Sequence, residues 1–111
     1  MGNDIRKPYT AEILLSMEPY RKKIAVRLLQ IGCTVIDTKS VGNGFPDLVV
    51  GYKGTNYLLK TMDGDLPICK RIPTTDEMHF QNEWEGQYAI VNNEDAAVQF
   101  IVEADIWKNA P

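Results

Sequence analysis

The sequence has few cysteines and no long apolar run. Its two cysteines, Cys33 and Cys69, have no Cys-x-x-Cys spacing and are too few for a disulfide-stabilised scaffold. No segment approaches the roughly 18 apolar residues that a membrane-spanning helix needs. The N-terminal residues MGNDIRKPYT contain no apolar stretch typical of a secretory signal. The sequence therefore predicts a cytoplasmic protein with free thiols and no membrane association.

An excess of positive charge is also absent, which bears on the class of partner. Twelve Lys and Arg stand against fifteen Asp and Glu, for a net charge of −3. A protein that grips nucleic acid through bulk charge is normally basic. Any contact with DNA would therefore need a local basic cluster, and two exist, at residues 21–23 and at Lys70 and Arg71. The single histidine, His79, is predicted to lie on the surface.

The length of 111 residues, with 44% apolar residues, suits one globular domain with one modest core. We expect residues 1–111 to form a single domain, with residues 1–18 as an N-terminal extension. Within that extension, AEILLSM favours a short helix that ends near Pro19.

A clearer helix is predicted over residues 20–31. Apolar side chains recur there at spacings of four, four and three residues, which is the period of one helix face: Tyr20, Ile24, Leu28 and Ile31. Lys23, Arg27 and Gln30 fall on a polar face. Gly32 then ends the helix, as glycine often does just beyond a last turn.

Three strands should follow in an antiparallel meander: TVIDT, DLVVGY and NYLLKTM. The second and third are joined by a tight hairpin at residues 53–56, with its turn at Gly54. Along the third strand, Leu58, Lys60 and Met62 alternate with the residues between them, so these three share one face.

A helix over residues 75–84 and a fourth strand, GQYAIVN, complete the sheet. Thr74 and Glu77 form a capping box at the start of that helix, and Asn93 caps a last helix. A helical crossover makes the fourth strand parallel to its neighbour. The prediction is an α/β fold with a mixed four-stranded sheet flanked by helices. Its core is expected to include Phe80, Trp84 and Phe100, which are less suited to be base-stacking platforms.

Two segments carry a resemblance to a known family: IGCTVIDTKSVGNGFPDLVVGYKGTNYLL and TTDEMHFQNEWEGQYAIVNNEDAA. With the order of elements, they resemble the restriction-endonuclease-like PD-(D/E)xK superfamily, and within it the phage and bacterial VRR-NUC and Holliday-junction-resolvase-like nucleases. The resemblance covers about residues 20–100. It implies a restriction-endonuclease-like αβββαβ core and Mg- or Mn-dependent hydrolysis of DNA. It also makes a homodimer plausible, because related resolvases act as dimers.

The family places its catalytic groups at fixed positions. An acid at the start of the second strand corresponds to Asp47, which follows Pro46. An acid and a lysine lie two residues apart on the third strand, and both face the same phosphate. The acids hold a divalent ion that activates water, and the lysine stabilises developing charge. A further acid comes from the first helix.

This chain departs from that pattern at three positions. Lys60 stands at the position of the family's strand acid, Met62 at that of its lysine and Lys23 at that of its helix acid. An ammonium cannot ligate a cation, so we expect no cofactor, and Asp47 would hold a metal only if one were bound at all.

Three other acids are candidate substitutes: Asp63, expected in a turn or on the opposite strand face, and Glu12 or Glu18 from the N-terminal segment.

Two interpretations of Lys60 remain open on sequence alone. Its ammonium either occupies the metal position and pairs with Asp47, or extends to solvent while Asp47 serves only as a strand-start residue. Gln87, at the start of the fourth strand, either lies beside the site or forms hydrogen bonds at a sheet edge.

Three functions follow from the resemblance and its departures. The first is a nuclease-fold protein without catalysis that binds duplex or branched DNA, or a protein. Its DNA-binding candidates are Lys23, Arg27, Lys70 and Arg71. The second is an active metal-dependent nuclease or resolvase with a rearranged site. The third is a phage-encoded inhibitor of a host defence or repair protein.

Overall fold

Four strands form one mixed sheet in the order β1-β2-β3-β4 in this computed structural model, which describes residues 11–108. The strands are β1 (Thr34–Asp37), β2 (Leu48–Tyr52), β3 (Thr55–Thr61) and β4 (Tyr88–Val91). Four helices accompany them: α1 (Ala11–Ser16), α2 (Pro19–Gln30), α3 (Thr75–Glu83) and α4 (Glu94–Lys108). The predicted α/β class and mixed four-stranded sheet are confirmed.

The sheet has the predicted strand directions. β1 and β2 are antiparallel, β2 and β3 are antiparallel, and β4 runs parallel to β3 after the α3 crossover. The hairpin turns at Lys53 and Gly54, which have φ angles of 48° and 82°. The capping box of Thr74 and Glu77 is present, and Asn93 accepts a hydrogen bond from the backbone N–H of Ala96 at 2.7 Å.

The hydrophobic core lies between one face of the sheet and the helices α2 and α4. Alternation along β3 sends Tyr57, Leu59 and Thr61 to this face, and Leu58 and Lys60 to the other. The larger apolar residues that fill the core are fully buried: Ile24, Leu28, Val35, Leu48, Val50, Tyr57, Leu59 and Ile101. Burial of each such side chain stabilises the fold by about 1.5–3 kcal/mol.

The opposite face of the sheet is covered incompletely, by α3. No residue of this helix is buried. Its two apolar side chains, Met78 and Phe80, are two positions apart and so point to different sides of the helix. Only Phe80 turns inward, where its ring lies 5.6 Å from Phe45 and 5.7 Å from Tyr88.

The aromatic residues expected in the core are therefore less buried than predicted. Trp84 stacks on Phe80 at 5.2 Å but remains 45% exposed. Phe80 and Phe100 are half-buried. The short polar helix α3 leaves Phe80 and Trp84 without a second enclosing layer, whereas Phe100, in α4, packs edge-on against Tyr57 on the core face.

One member of the basic run at residues 21–23 also differs from expectation. Arg21 is buried, and its guanidinium pairs with Glu18 and with Asp37, the latter at 3.6 Å. Its position in α2 turns it toward β1, so it is not available to a partner. His79 is exposed, as predicted.

No helix within residues 11–108 is long and apolar enough to cross a membrane.

The glycine before the second strand should tolerate no side chain. Gly44 has a φ of 83°, and a Cβ there would collide with the backbone carbonyl of Asp76 in the first turn of α3. Gly54, at φ 82°, faces open space. Gly54→Ala should therefore cost only left-handed strain, about 1–2 kcal/mol, whereas Gly44→Ala should cost clearly more because α3 must shift. Urea denaturation of both variants tests this; equal losses would contradict it.

Candidate functional site

Asp47 is held at the junction of β2 and β3. It directly precedes β2, and its backbone N–H donates to the carbonyl of Leu59 at 3.0 Å. Its carboxylate Oδ2 accepts hydrogen bonds from the backbone N–H of Thr61 at 2.9 Å and from the Thr61 hydroxyl at 2.8 Å. Only 2% of the residue is exposed. A buried carboxylate in this position also needs a positive partner.

Lys60 provides that partner. Its Nζ lies 3.4 Å from Asp47 Oδ2 and 2.5 Å from Glu77 Oε2, and its side chain is 10% exposed. The predicted pairing with Asp47 is confirmed, and the alternative of a lysine extending to solvent is wrong. Lys60 contacts both carboxylates because it stands on the strand face that α3 covers.

Glu77 was not anticipated as a member of the site. The capping box already fixes its position, since its Oε1 accepts the Thr74 backbone N–H at 2.8 Å. That geometry leaves Oε2 free to face the sheet and bind Lys60. The capping box of Thr74 and Glu77 could be predicted from the sequence. The direction of the Glu77 Oε2 could not, because it depends on where α3 crosses β3.

Lys39 completes what we call the ion cluster: Lys39, Asp47, Lys60 and Glu77. Its Nζ lies 3.5 Å from Asp47 Oδ1, and its side chain is 45% exposed. It reaches Asp47 because the backbone N–H of Thr38 donates to the Asp47 carbonyl at 2.8 Å. No strand or helix period indicates this contact, so sequence reasoning missed it. Two ammonium and two carboxylate groups balance within the cluster.

The pKa values of the cluster follow from these contacts. Burial alone lowers the pKa of Lys60, but the hydrogen bond to Glu77 and the charge of Asp47 outweigh it and raise that pKa overall. Burial raises the pKa of Glu77, but the hydrogen bonds from Lys60 and Thr74 outweigh it and lower that pKa overall. Both pKa shifts favour the charged forms of Lys60 and Glu77.

Two tyrosines border the cluster. Burial first, and then neighbouring carboxylates, raise the pKa of Tyr20 in α2 and that of Tyr88 in β4. Asp47 contributes to both shifts, which places both hydroxyls within its electrostatic reach. The cluster therefore lies where α2, the sheet and α3 meet.

The cluster does not fit a divalent cation. Magnesium requires several oxygen ligands in a close, regular arrangement. The ammonium of Lys60 already takes the space between the two carboxylates and repels a second cation. Within residues 11–108, no group of three or more His, Cys, Asp or Glu is arranged to hold a metal ion.

The other positions considered for catalysis supply no substitute. Met62 is half-buried and lines the same depression as Lys60, so an uncharged thioether stands beside the ammonium. Asp63 lies in the turn, where its Oδ1 accepts the Asp65 N–H at 3.0 Å. Glu18 pairs with Arg21. The side chain of Glu12 lies outside the described part of the chain.

Gln87 is not brought to the cluster. Its side chain is exposed, and its backbone carbonyl accepts the Leu58 N–H at 3.2 Å. The strand neighbour of Lys60 is Ile90, three residues further along β4. At about 3.3 Å per residue, Gln87 lies about 10 Å from that point. The interpretation as a residue that hydrogen-bonds within the sheet fits this position.

The four DNA-binding candidates line one groove, which we call the basic groove. It consists of three adjoining depressions along α2. The first depression is lined by Lys23 and Arg27. The second depression adjoins the first at Lys23 and Glu94, which line both. The second shares Tyr20 and Asp63 with the third, which is lined by Lys60, Met62, Lys70 and Arg71.

Two of these candidates are partly engaged within the protein. Arg27 pairs with Asp95 at 3.3 Å. Arg71 donates from Nε to the carbonyl of Leu66 at 2.7 Å and from Nη2 to that of Gly64 at 3.2 Å, so it holds the loop after β3. By contrast, Lys23 and Lys70 are exposed.

No protein-family model, no curated protein and no solved structure matches this chain. The nuclease resemblance therefore stays a prediction from the residues quoted above.

Removing the charge of Lys60 should destabilise the fold strongly. Lys60→Met leaves two carboxylates without their shared cation, and breaking a well-buried pair costs about 3–5 kcal/mol. Lys39→Met removes an equal charge from the exposed side of Asp47 and should cost about 0–1 kcal/mol. Adding Asp47→Asn to Lys60→Met should recover part of the loss. Equal free energies of unfolding for the two single variants would contradict a buried pair.

The Lys60–Glu77 pair should also make stability depend on pH. The lowered pKa of Glu77 gives stability that is present above its unfolded value, about 4.3, and is lost as pH falls through the folded value. The raised pKa of Lys60 gives stability that is present below about 10.4 and is lost above it. Glu77→Gln keeps the capping box but should flatten the acid limb. Urea midpoints from about pH 3 to 7 test this; parallel curves for both proteins would rule it out.

Proposed function

We propose that this chain is a nuclease-fold protein, with a restriction-endonuclease-like αβββαβ core, that binds DNA without hydrolysing it. The observation that carries the proposal is the position of Lys60, whose ammonium lies between Asp47 and Glu77. In the family that the chain resembles, a divalent cation would be bound beside the residue corresponding to Asp47. Here a tethered cation of the protein stands in its place.

The chemistry available to the ion cluster supports the absence of hydrolysis. A lysine ammonium neutralises charge but has no vacant site to bind and acidify water, which is what a metal supplies to phosphodiester cleavage. At the family's lysine position, Met62 has neither charge nor proton to offer. Asp47 is itself occupied by two hydrogen bonds from Thr61 and by two lysines.

The distribution of charge supports DNA as the partner. The basic groove is lined by six of the twelve basic residues of the chain but by only four of its fifteen acidic residues. A protein of net charge −3 thus concentrates positive charge along one groove. Local clusters of this kind attract phosphate backbones even when the whole protein is acidic.

A protein partner is the second candidate function, and a separate observation favours it. The loop after β3 carries three exposed apolar residues, Leu66 at 43%, Ile68 at 81% and Ile72 at 74%, and two of them, Leu66 and Ile72, line the same depression as Lys60 and Glu77. Grouped apolar side chains at a surface are typical of protein-binding sites. A phage-encoded inhibitor of a host protein, or a homodimer, would use such a surface.

A cleavage assay tests the loss of hydrolysis. Purified protein should not cut single-stranded, duplex or branched DNA with magnesium or manganese, because the described acids form no group arranged to hold the metal ion that would activate water. Metal-dependent cleavage that disappears in Asp47→Ala would contradict the proposal and favour the active nuclease with a rearranged site.

A gain of metal binding tests the position of Lys60 independently of activity. Lys60→Glu with Met62→Lys restores the acid-x-lysine pattern and places a third carboxylate beside Asp47 and Glu77. We expect manganese binding by calorimetry, before any recovery of cleavage, because weak cation binding demands less precise geometry than water attack. Lys60→Gln with Met62→Lys, which adds no carboxylate to the cluster, should bind none. If the first variant folds and binds no manganese, the cluster is not a disarmed metal site.

A further inference from the structure

We infer that the basic groove accommodates a single strand of DNA, not a duplex. This inference rests on the proposed DNA binding and specifies the form of DNA that the groove takes. It uses the shape of the groove, its free positive charges and the acidic groups between them.

The groove is a row of three open depressions. The three depressions have volumes of about 290, 340 and 220 Å³ in order along α2. A concave surface of this kind cannot enter the major groove of a duplex, which admits a protruding helix or β-ribbon. Proteins that bind single strands do so in grooves that follow one backbone. A row of adjoining depressions therefore suits one strand that follows the groove.

The free positive charges lie toward the two ends of the groove. Lys22 and Lys23 line the first depression and Lys70 the third. Among residues 11–108, none of these three lysines forms an ion pair with another described residue. Each is therefore available to a phosphate. A strand that runs along α2 would meet positive charge as it enters and again as it leaves.

The middle of the groove has a different chemistry. Asp63, Asp65 and Glu94 line the second depression together with Asn92 and Asn93. Carboxylates repel phosphates, but they accept hydrogen bonds from amino groups on base edges, as Asp and Glu do with cytosine. In a duplex the Watson–Crick edges are already paired. The amino hydrogens that a duplex leaves free lie in its major groove, which admits a protruding helix or β-ribbon, whereas these acids lie in a depression. An unpaired strand can turn its base edges into that depression while its phosphates contact the lysines toward the ends.

Tyr20 stands where the second depression meets the third. Its ring is half-buried, and its position on the groove lining offers one aromatic surface between the acidic middle and Lys70. Aromatic side chains in single-strand grooves stabilise unpaired bases regardless of sequence.

Fluorescence anisotropy with labelled DNA tests the inference on the whole chain. The probes are a mixed-sequence single strand of about 16 nucleotides, within the range of known site sizes, and a duplex of the same sequence. We expect the single strand to bind at least about tenfold more tightly than the duplex at about 50 mM salt. Three variants that each remove one lysine charge are compared: Lys23→Gln, Lys70→Gln and, outside the groove, Lys53→Gln.

Lys23→Gln and Lys70→Gln should each weaken single-strand binding about fivefold to tenfold at about 50 mM salt, and each should lower the salt slope by about 0.7. Lys53→Gln should leave both unchanged. If the duplex binds as tightly as the single strand with the same lysine dependence, the inference is overturned and the proposed DNA binding stands. If single-strand binding is unaffected by Lys23 and Lys70, the groove is not the site. If no DNA binds even at low salt, the inference and the proposed function both fail.

Discussion

The contact of the Lys60 ammonium with the carboxylates of Asp47 and Glu77 is the interaction on which this side of the structure depends. It connects the start of β2, the end of β3 and the first turn of α3. The helix buries no residue of its own, so its attachment to the sheet rests on this ion pair and on the ring of Phe80. Loss of the ammonium would leave Glu77 without its ion-pair partner and Asp47 with only the partly exposed Lys39, and it would free the helix at the same point.

We propose that the same contact marks a change of chemistry within the nuclease framework that the chain resembles. In the nucleases that the chain resembles, carboxylates at the end of a hairpin would gather around a metal that activates water. In this chain the hairpin and its aspartate are present, while a lysine supplies the positive charge from within the protein. A tethered monovalent cation satisfies the electrostatics of Asp47 but brings no Lewis acid to a substrate. The proposed consequence is a protein that keeps the adjoining groove for binding.

Much of this arrangement could be predicted from local patterns. The helix periods, the alternation along the strands, the glycine turn and the capping box determine the order and the directions of the elements. The pairing of Lys60 with Asp47 was also predictable, because adjacent antiparallel strands bring these two positions together. The contacts of Glu77 and Lys39 were not. One depends on where a crossover helix lies and the other on the path of a loop, and neither is encoded in a local period.

The errors have equally specific causes. Arg21 was included in a surface cluster because its neighbours are basic, yet its position on α2 directs it toward Glu18 and Asp37. Trp84 was expected in the core because it is large and apolar. It directly follows α3, a polar helix with no buried residue, so its ring stays partly exposed. Sequence patterns predict which face of an element is apolar more reliably than they predict whether another element covers it.

A crystal structure of the protein grown with manganese, measured for anomalous scattering, tests the central claim most directly. The account predicts no anomalous peak between Asp47 and Glu77, with the Lys60 Nζ within ion-pair distance of both carboxylates. A manganese peak at that point, with the Lys60 side chain turned away, would contradict it, because the ammonium would then be a displaceable occupant of a working metal site.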